Sequence, residues 1–513
     1  MKIIRIICRA SRLSLLQAEL VKQKIMAVEP ATTVEIIGRS SRGDRELSVP
    51  LSSLDGTDFF TQEIFEALQN NEADIAVHSL KDMSAPHFFS HNAFAIVDRD
   101  DVRDVVIFNP GVIDKIKSGE TIIVGTCSPR REEMAIGFLK KALPQLHAEI
   151  SIETRPIRGN VEGRLKQLHE GNYDATILAT AGLNRLLRAE KESRVADQLS
   201  VGDLLKDKLL MLLPLIECVP APCQAAIVVE ADPSNKQAVE ILNKINQPDL
   251  FAEAYAEKKR AYEYGTGCLQ KFGVTTIHTQ RQSYLYAAGE DAHGRRFSEW
   301  SHLPGPIPES SKLFSSTDCM KDFFRYQWSD ETVRIAHPVV FVANYKALVQ
   351  PNIAEQLTGK QIWASGTKTW YELAKRGLWV NGCADALGYE TLNAVWQMPL
   401  FEINNNDVCI LSHQKAVERW KQKGYHAVSN YVLMPSGNQY IAEQVAAATH
   451  LFWSSFAQFE QYGSFTRHDA VHLCAGGETA SLLLKQGIEP VIFPTIKSFE
   501  QWRKLTIHSH SAA

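Results

Sequence analysis

The sequence predicts an α/β chain of several domains, and two patterns carry that expectation. Short apolar strand segments alternate with amphipathic helical segments through the first third, in two successive units. The last third contains an internal repeat with an offset of 110 residues, in which a Gly-x-x-Thr segment opens a helical stretch that ends at a glycine. A length of 513 residues leaves room for roughly three to five domains.

In the first unit, residues 3–7 form a strand and Ser11 caps the helix that follows. Leu13, Leu16 and Leu20, then Val21, Ile25 and Val28, recur at helical spacing. A strand at 34–37, a helix at 62–69 and a strand at 73–77 complete a βαβαβ unit, which implies a parallel sheet. The second unit runs as strand 121–124, helix 131–141, strand 150–153, helix 161–170 and strand 175–179. The charged stretch 98–104 between them reads as a hinge crossing. Two such units face each other across a cleft, with ligands at the carboxyl ends of strands.

A helical pattern at 250–264 runs into Gly265-Thr266-Gly267-Cys268, and strand-like segments follow at 273–277 and 283–288. This predicts a small α+β domain. Pro304, Pro306 and Pro308, followed by Ser310 and Ser311, mark a linker. In the repeat, Gly366, Thr369, Leu373, Lys375 and Gly377 coincide with Gly476, Thr479, Leu483, Lys485 and Gly487. Residues 339–342 fall opposite 449–452. Two related α/β lobes are expected.

Composition narrows the function. The chain is 45% hydrophobic and 22% charged with a formal charge of −4, so no general nucleic-acid affinity is expected. Residues 1–8 are too short for a signal-peptide core. The richest apolar run, 209–216, is interrupted by Pro214 and falls far short of the roughly 20 residues a membrane helix needs. The nine cysteines are scattered, with no CxxC pair and no zinc spacing. Free thiols, a cytoplasmic setting and no metal are the expectation.

Charged side chains gather at predicted strand ends. Arg9 and Ser11 follow the first strand. Gly125-Thr126-Cys127-Ser128 precedes Arg130 and Arg131, Arg158-Gly159-Asn160 precedes Arg164, and Arg185 follows the strand ending at Ala179. Helix N-termini attract anions, and arginine offers a fork that fits carboxylates. Cations there oppose the helix dipole. One such arginine ordinarily pairs with a neighbouring acid, whereas six imply a ligand with several anionic groups. Lys81-Asp82 follows another strand, where Asp82 could handle a proton or steady a developing cation, or simply cap a turn. Cys268, in its glycine turn, is an accessible thiol able to hold a covalent intermediate, although a lone loop cysteine is ordinarily inert.

In order and spacing, Arg9-Ala10-Ser11, Arg42-Gly43-Asp44, residues 73–82, residues 125–131, residues 158–161 with Arg164, residues 178–186 and Gly267-Cys268 resemble the porphobilinogen deaminases, or hydroxymethylbilane synthases, over residues 1–290. The resemblance implies two α/β domains like those of periplasmic binding proteins, at 1–100 with 206–229 and at 101–205, plus a small α+β domain at 230–325. It implies a dipyrromethane cofactor attached covalently to Cys268 and held by Lys81, Ser128, Arg130, Arg131 and Arg164. Arg9, Ser11, Arg158 and Arg185 would bind porphobilinogen, and Asp82 would be the catalytic residue, stabilising a cationic azafulvene. Four porphobilinogens would be joined with loss of ammonia and released as a linear tetrapyrrole by a monomeric deaminase part with no nucleic-acid or membrane partner.

Three segments depart from the family pattern. Gly56-Thr57-Asp58-Phe59-Phe60 lacks a lysine, a glycine-flanked hinge glutamine becomes Cys223-Gln224-Ala225, and Lys271 stands at a usual proline. Residues 333–505 resemble uroporphyrinogen-III synthase through residues 365–377, Tyr431, residues 453–456 and residues 475–487, without a recognisable opening strand in the first lobe. That resemblance implies two lobes and closure of the tetrapyrrole with inversion of ring D. The alternatives are a deaminase with a structural C-terminal module, or a protein that only captures an anion.

Overall fold

The computed structural model describes residues 2–40, 62–90, 92–192, 200–265, 270–329 and 333–511. Strand Lys2–Arg9 buries Ile4, Ile6 and Cys8 on one face of its sheet and Ile7 on the other, as a strand covered on both sides requires. Helix Arg12–Val28 begins at Ser11, whose Oγ accepts the Ser14 N–H, and packs Ala18, Val21 and Ile25 on the first face. Strands Thr32–Arg39 and Ile75–Ser79 flank Lys2–Arg9 in parallel. The expected all-parallel unit is then modified. Strand Ala226–Ala231 returns from far along the chain and inserts antiparallel between Ile75–Ser79 and Ala93–Arg99.

The second sheet repeats this plan in the order Ile152–Arg155, Ile122–Gly125, Ala175–Ala179, Asp104–Phe108, Leu209–Leu212. Its outgoing strand, Asp104–Phe108, runs antiparallel to both neighbours. Two crossovers, residues 100–103 and 213–225, therefore join the first two domains. Two expected boundaries move. Leu209–Leu212 lies in the second sheet rather than with residues 206–229 in the first domain. Helix Lys236–Ile245 puts Ala238, Ile241, Leu242 and Ile245 into the first core, although the third domain was expected from 230. The third domain is an antiparallel sheet of Lys271–His278, Ser283–Glu290 and Arg296–Trp300 against helix Pro248–Tyr264.

The C-terminal region forms two parallel sheets. One has the order Gly382–Cys383, Gln361–Ala364, Val339–Val342, Val408–Ser412, Ala427–Ser429. The other has Leu313–Ser315, His450–Trp453, Val471–Ala475, Val491–Phe493. An antiparallel ribbon, Phe324–Trp328 with Tyr431–Pro435, connects them. No opening strand is recognisable in the sequence for the first lobe; strand Leu313–Ser315, inside the range expected for the third domain, pairs with His450–Trp453 in the second lobe. At three residues it is too short to show any periodicity. The repeated helices Thr367–Ala374 and Glu478–Lys485 both end before a left-handed glycine, Gly377 and Gly487.

Both lobes pack against the upstream domains. The Trp370 indole donates to the Ala142 carbonyl at 3.0 Å and Trp379 to Leu210 at 3.1 Å, both in the second domain. Leu212 N–H donates to Asn381 at 2.7 Å, and the two apolar cores merge. The second lobe touches the third domain through Gln280 to Gly477 at 3.0 Å and the Arg281–Glu489 ion pair. Among the described residues no helix is long and apolar enough to cross a membrane.

Candidate active site

The first domain presents its strand ends toward the second. Strand Ile75–Ser79 passes into a 3-10 turn, Leu80–Asp82, whose Leu80 carbonyl accepts the buried Lys258 ammonium at 3.0 Å. That bond fixes the turn carrying Lys81 and Asp82. Burial lowers the proton affinity of Lys81, Arg131 and Arg130 lower it further, and Asp82 and Asp104 oppose them. Lys81 therefore stands within electrostatic reach of both arginines across the domain boundary.

Ser128 caps helix Pro129–Ala142, and its own N–H donates to Thr126 Oγ1 at 3.1 Å. Arg130 and Arg131 in the first turn are nearly buried, 5% and 8% exposed, and share one carboxylate. Arg130 Nη2 and Arg131 Nη2 each donate to Asp104 at 2.8 Å, while Arg130 Nη1 reaches the Val219 carbonyl and Arg131 Nη1 that of Ile177. Burial pushes the Asp104 carboxyl up, but Arg131 and Arg130 outweigh it and hold the group far below the usual carboxylate range. Part of the cation excess at this helix N-terminus is thus answered inside the protein. Asp104 does not stand out in the sequence as a site residue. Its only signal was an aspartate heading the fully buried strand Asp104–Phe108.

Asn160 caps helix Val161–His169, accepting the Gly163 N–H at 2.8 Å, and Arg164 Nε donates to the Gly159 carbonyl at 2.9 Å. Burial lowers the Arg164 proton affinity, with Arg131 and Arg158 adding to it and Cys127 and Asp82 opposing. Asp82 of the first domain and Arg164 of the second thus belong to one electrostatic group, which also holds Lys81, Arg130, Arg131 and Arg158. Arg9 and Arg158 are half-buried at their strand ends. The Ser11 hydroxyl is partly engaged by its cap and by Ser14 Oγ at 2.8 Å. Arg185 is drawn into the hinge, donating to the Ala225 carbonyl at 2.7 Å and to Asp98 at 3.1 Å. Cys268, residues 42–44 and the loop 56–60 lie outside the described residues.

The hinge keeps a left-handed backbone without glycine. Cys223 has φ 60° and Ala225 φ 72°, and between them Gln224 Nε2 donates to Val102 at 2.7 Å and to Asp104 at 2.9 Å. In the C-terminal module, Tyr431 is 2% exposed and packs near Tyr326 and His413. It borders a cavity of about 340 Å³ lined also by Gln327, Trp328, Gln414 and Asn430. Burial, with help from Arg419 and Lys415, pushes His413 down to about 4, so its ring is neutral and its Nδ1 accepts the Ala416 N–H.

A dipyrromethane bears acetate and propionate groups, and the site meets that demand. Lys81, Arg130 and Arg164 each have a proton affinity lowered by burial and by neighbouring cations, a surplus of positive charge that a polyanion relieves. Residues 4–240 match the family model described as "Porphobilinogen deaminase, dipyromethane cofactor binding domain". The chain is 36% identical over 269 residues to the porphobilinogen deaminase of Chromobacterium violaceum, covering 52% of this chain and 77% of that one. It is 33% identical over 284 residues to the probable porphobilinogen deaminase of Methanocaldococcus jannaschii, covering 55% and 85%. A third relative, the porphobilinogen deaminase of Thiobacillus denitrificans, is 32% identical over 300 residues, covering 58% and 88%. Matched across both hinge crossovers and the arginine-lined strand ends, this chain belongs to the porphobilinogen deaminase family.

Proposed function

We propose that this deaminase joins four porphobilinogen units to a dipyrromethane held on Cys268, and that its C-terminal module closes the released linear tetrapyrrole to uroporphyrinogen III. The observation that supports the first step is the grouping of Lys81, Arg130, Arg131 and Arg164 around Asp82, drawn from two domains. When bound, the cofactor supplies the pyrrole carbon to which a new unit is joined. Lys81, Ser128, Arg130, Arg131 and Arg164 hold its carboxylates. Arg9, Ser11 and Arg158 orient the acetate and propionate of incoming porphobilinogen, and Arg185 acts from the hinge. Asp82 accepts the pyrrole N–H and faces the positive charge that develops on the substrate methylene as ammonia leaves. The partial burial of Lys81 and Arg164 strengthens their own contacts with those carboxylates.

The two lobes, their ribbon and the amide-lined cavity beside Tyr431 support a ring-closing role for the C-terminal module. A second reading, a structural brace, is favoured by the merging of its core with the second domain. Incubation with porphobilinogen, then oxidation and isomer separation, tests the two. Type III uroporphyrin assigns ring closure to the module, whereas type I alone assigns the brace.

A further inference from the structure

The first two domains are joined through residues 100–103 and 213–225, so these two crossovers are the covalent links that hold one domain relative to the other. One carboxylate from the C-terminal module touches both. Asp385 follows strand Gly382–Cys383 in a turn with φ 51°, and Ala386 has φ 61°. Asp385 Oδ1 accepts the Leu215 N–H at 2.9 Å on the return crossover, and Oδ2 lies 3.7 Å from Arg103 Nε on the outgoing one. Both side chains are buried; among the described residues Arg103 Nε and Nη1 have no hydrogen-bond partner, and Nη1 lies 3.5 Å from the Asp101 carboxylate on its own crossover.

Arg103 is tied to the site by one step of chain. Its N–H donates to Asp101 at 2.9 Å and its carbonyl accepts Thr180 Oγ1 at 2.8 Å. The next residue, Asp104, holds Arg130, Arg131 and Gln224. Two residues beyond Asp385, Leu387 sits in the seam between the second and third domains with Leu215, Val219, Ile277 and Tyr286. Gly388 then meets Gly477 of the other lobe so closely that a Cβ on Gly388 would lie 3.3 Å from the Gly477 Cα.

We propose that Asp385 is a positioning residue for the deaminase reaction, stapling the two hinge crossovers through Arg103 and Leu215 so that the C-terminal module sets the alignment of the arginines with Asp82. The proposal rests on the family's activity and not on ring closure. Burial pushes the Asp385 carboxyl up to about 6 against the pull of Arg103, so assays at pH 8 keep it ionised. Asn tolerates the left-handed backbone and retains an oxygen for the Leu215 N–H while removing the charge that faces Arg103.

The test uses the full chain with Asp385→Asn, Arg103→Met and the double variant, reading porphobilinogen consumption and intact mass. Asp385→Asn should lower kcat about tenfold with KM within about twofold, because remote misalignment acts on the reacting geometry. The double variant should lose less than the product of the two single losses, because both variants break the Asp385–Arg103 contact, although Arg103→Met also removes the pair with Asp101. A kcat for Asp385→Asn within about twofold of the parent, or losses that multiply in the double variant, overturns the proposal. If Asp385→Asn does not fold, Leu387→Ala takes its place: an about threefold lower kcat supports the coupling and an unchanged kcat overturns it. Because intact mass is read in parallel, failure to load the cofactor, which counts against the function proposed above, is distinguishable from slowed turnover.

Discussion

The boundary between the first two domains gathers Lys81, Asp82, Arg131 and Arg164 into one electrostatic group, whereas the hollow beside the C-terminal ribbon is framed by Gln327, Gln414, Asn430 and Tyr431. Among the described residues its lining carries no charged side chain; Lys346 and Lys368 lie over the rings of Tyr326 and Tyr345, and His413, held neutral by burial and by Arg419 and Lys415, packs near Tyr431. The contrast separates two ways of assisting a reaction. Fixed charges can steady a cation as a bond breaks, whereas an uncharged amide and aromatic frame can only hold the shape of a ligand that reacts readily.

The sharpest way to break the contrast is at Asp82. Asp82→Ala should lower kcat at least ~100-fold with an unchanged circular dichroism spectrum, and retention of more than about a tenth of the activity removes Asp82 from its role. Next comes the internal anion. Asp104→Asn leaves Arg130 and Arg131 buried against a neutral amide and should cost about 3–5 kcal/mol in urea unfolding, and a loss below about 1 kcal/mol would show that the arginines do not depend on it. The folded Asp104 carboxyl lies below its unfolded value, so its contribution is present above the ordinary carboxylate range and declines as pH falls through and below that range.

In the C-terminal hollow the expected effect is smaller. His413 titrates at about 4 when folded, so it changes no charge between pH 6 and about 8, and the share of type III isomer should stay flat there. A break near the ordinary histidine value of about 6.5 would contradict a neutral frame. Because its folded value is lowered, His413 gives stability that declines as pH drops through the unfolded value. The smallest effect is at the hinge. Ala225→Gly relieves a left-handed alanine and adds chain entropy to the unfolded state, a net gain of about 0.5 kcal/mol readable in the urea midpoint.

The regular elements of the deaminase half were legible because they are long enough to show a period. The helix expected at 62–69 is Gln62–Gln69, and the strand at 175–179 is Ala175–Ala179. The antiparallel return of Ala226–Ala231 was not, since an apolar run records burial and not the direction of its neighbours. Leu313–Ser315 was too brief to read. At the site, helix-start arginines were visible as residues out of step with the dipole, but their shared partner Asp104 lies 26 and 27 residues away in sequence. The Asp385–Leu215 bond spans 170 residues, a separation no local pattern encodes.

Intact-protein mass of the purified chain tests the proposed attachment of the dipyrromethane to Cys268 most directly. The parent should weigh more than its sequence by one dipyrromethane, and Cys268→Ser should show the bare chain mass and no turnover of porphobilinogen. A parent that turns over porphobilinogen at its bare sequence mass, or a Cys268→Ser chain that still carries the added mass, would contradict the account.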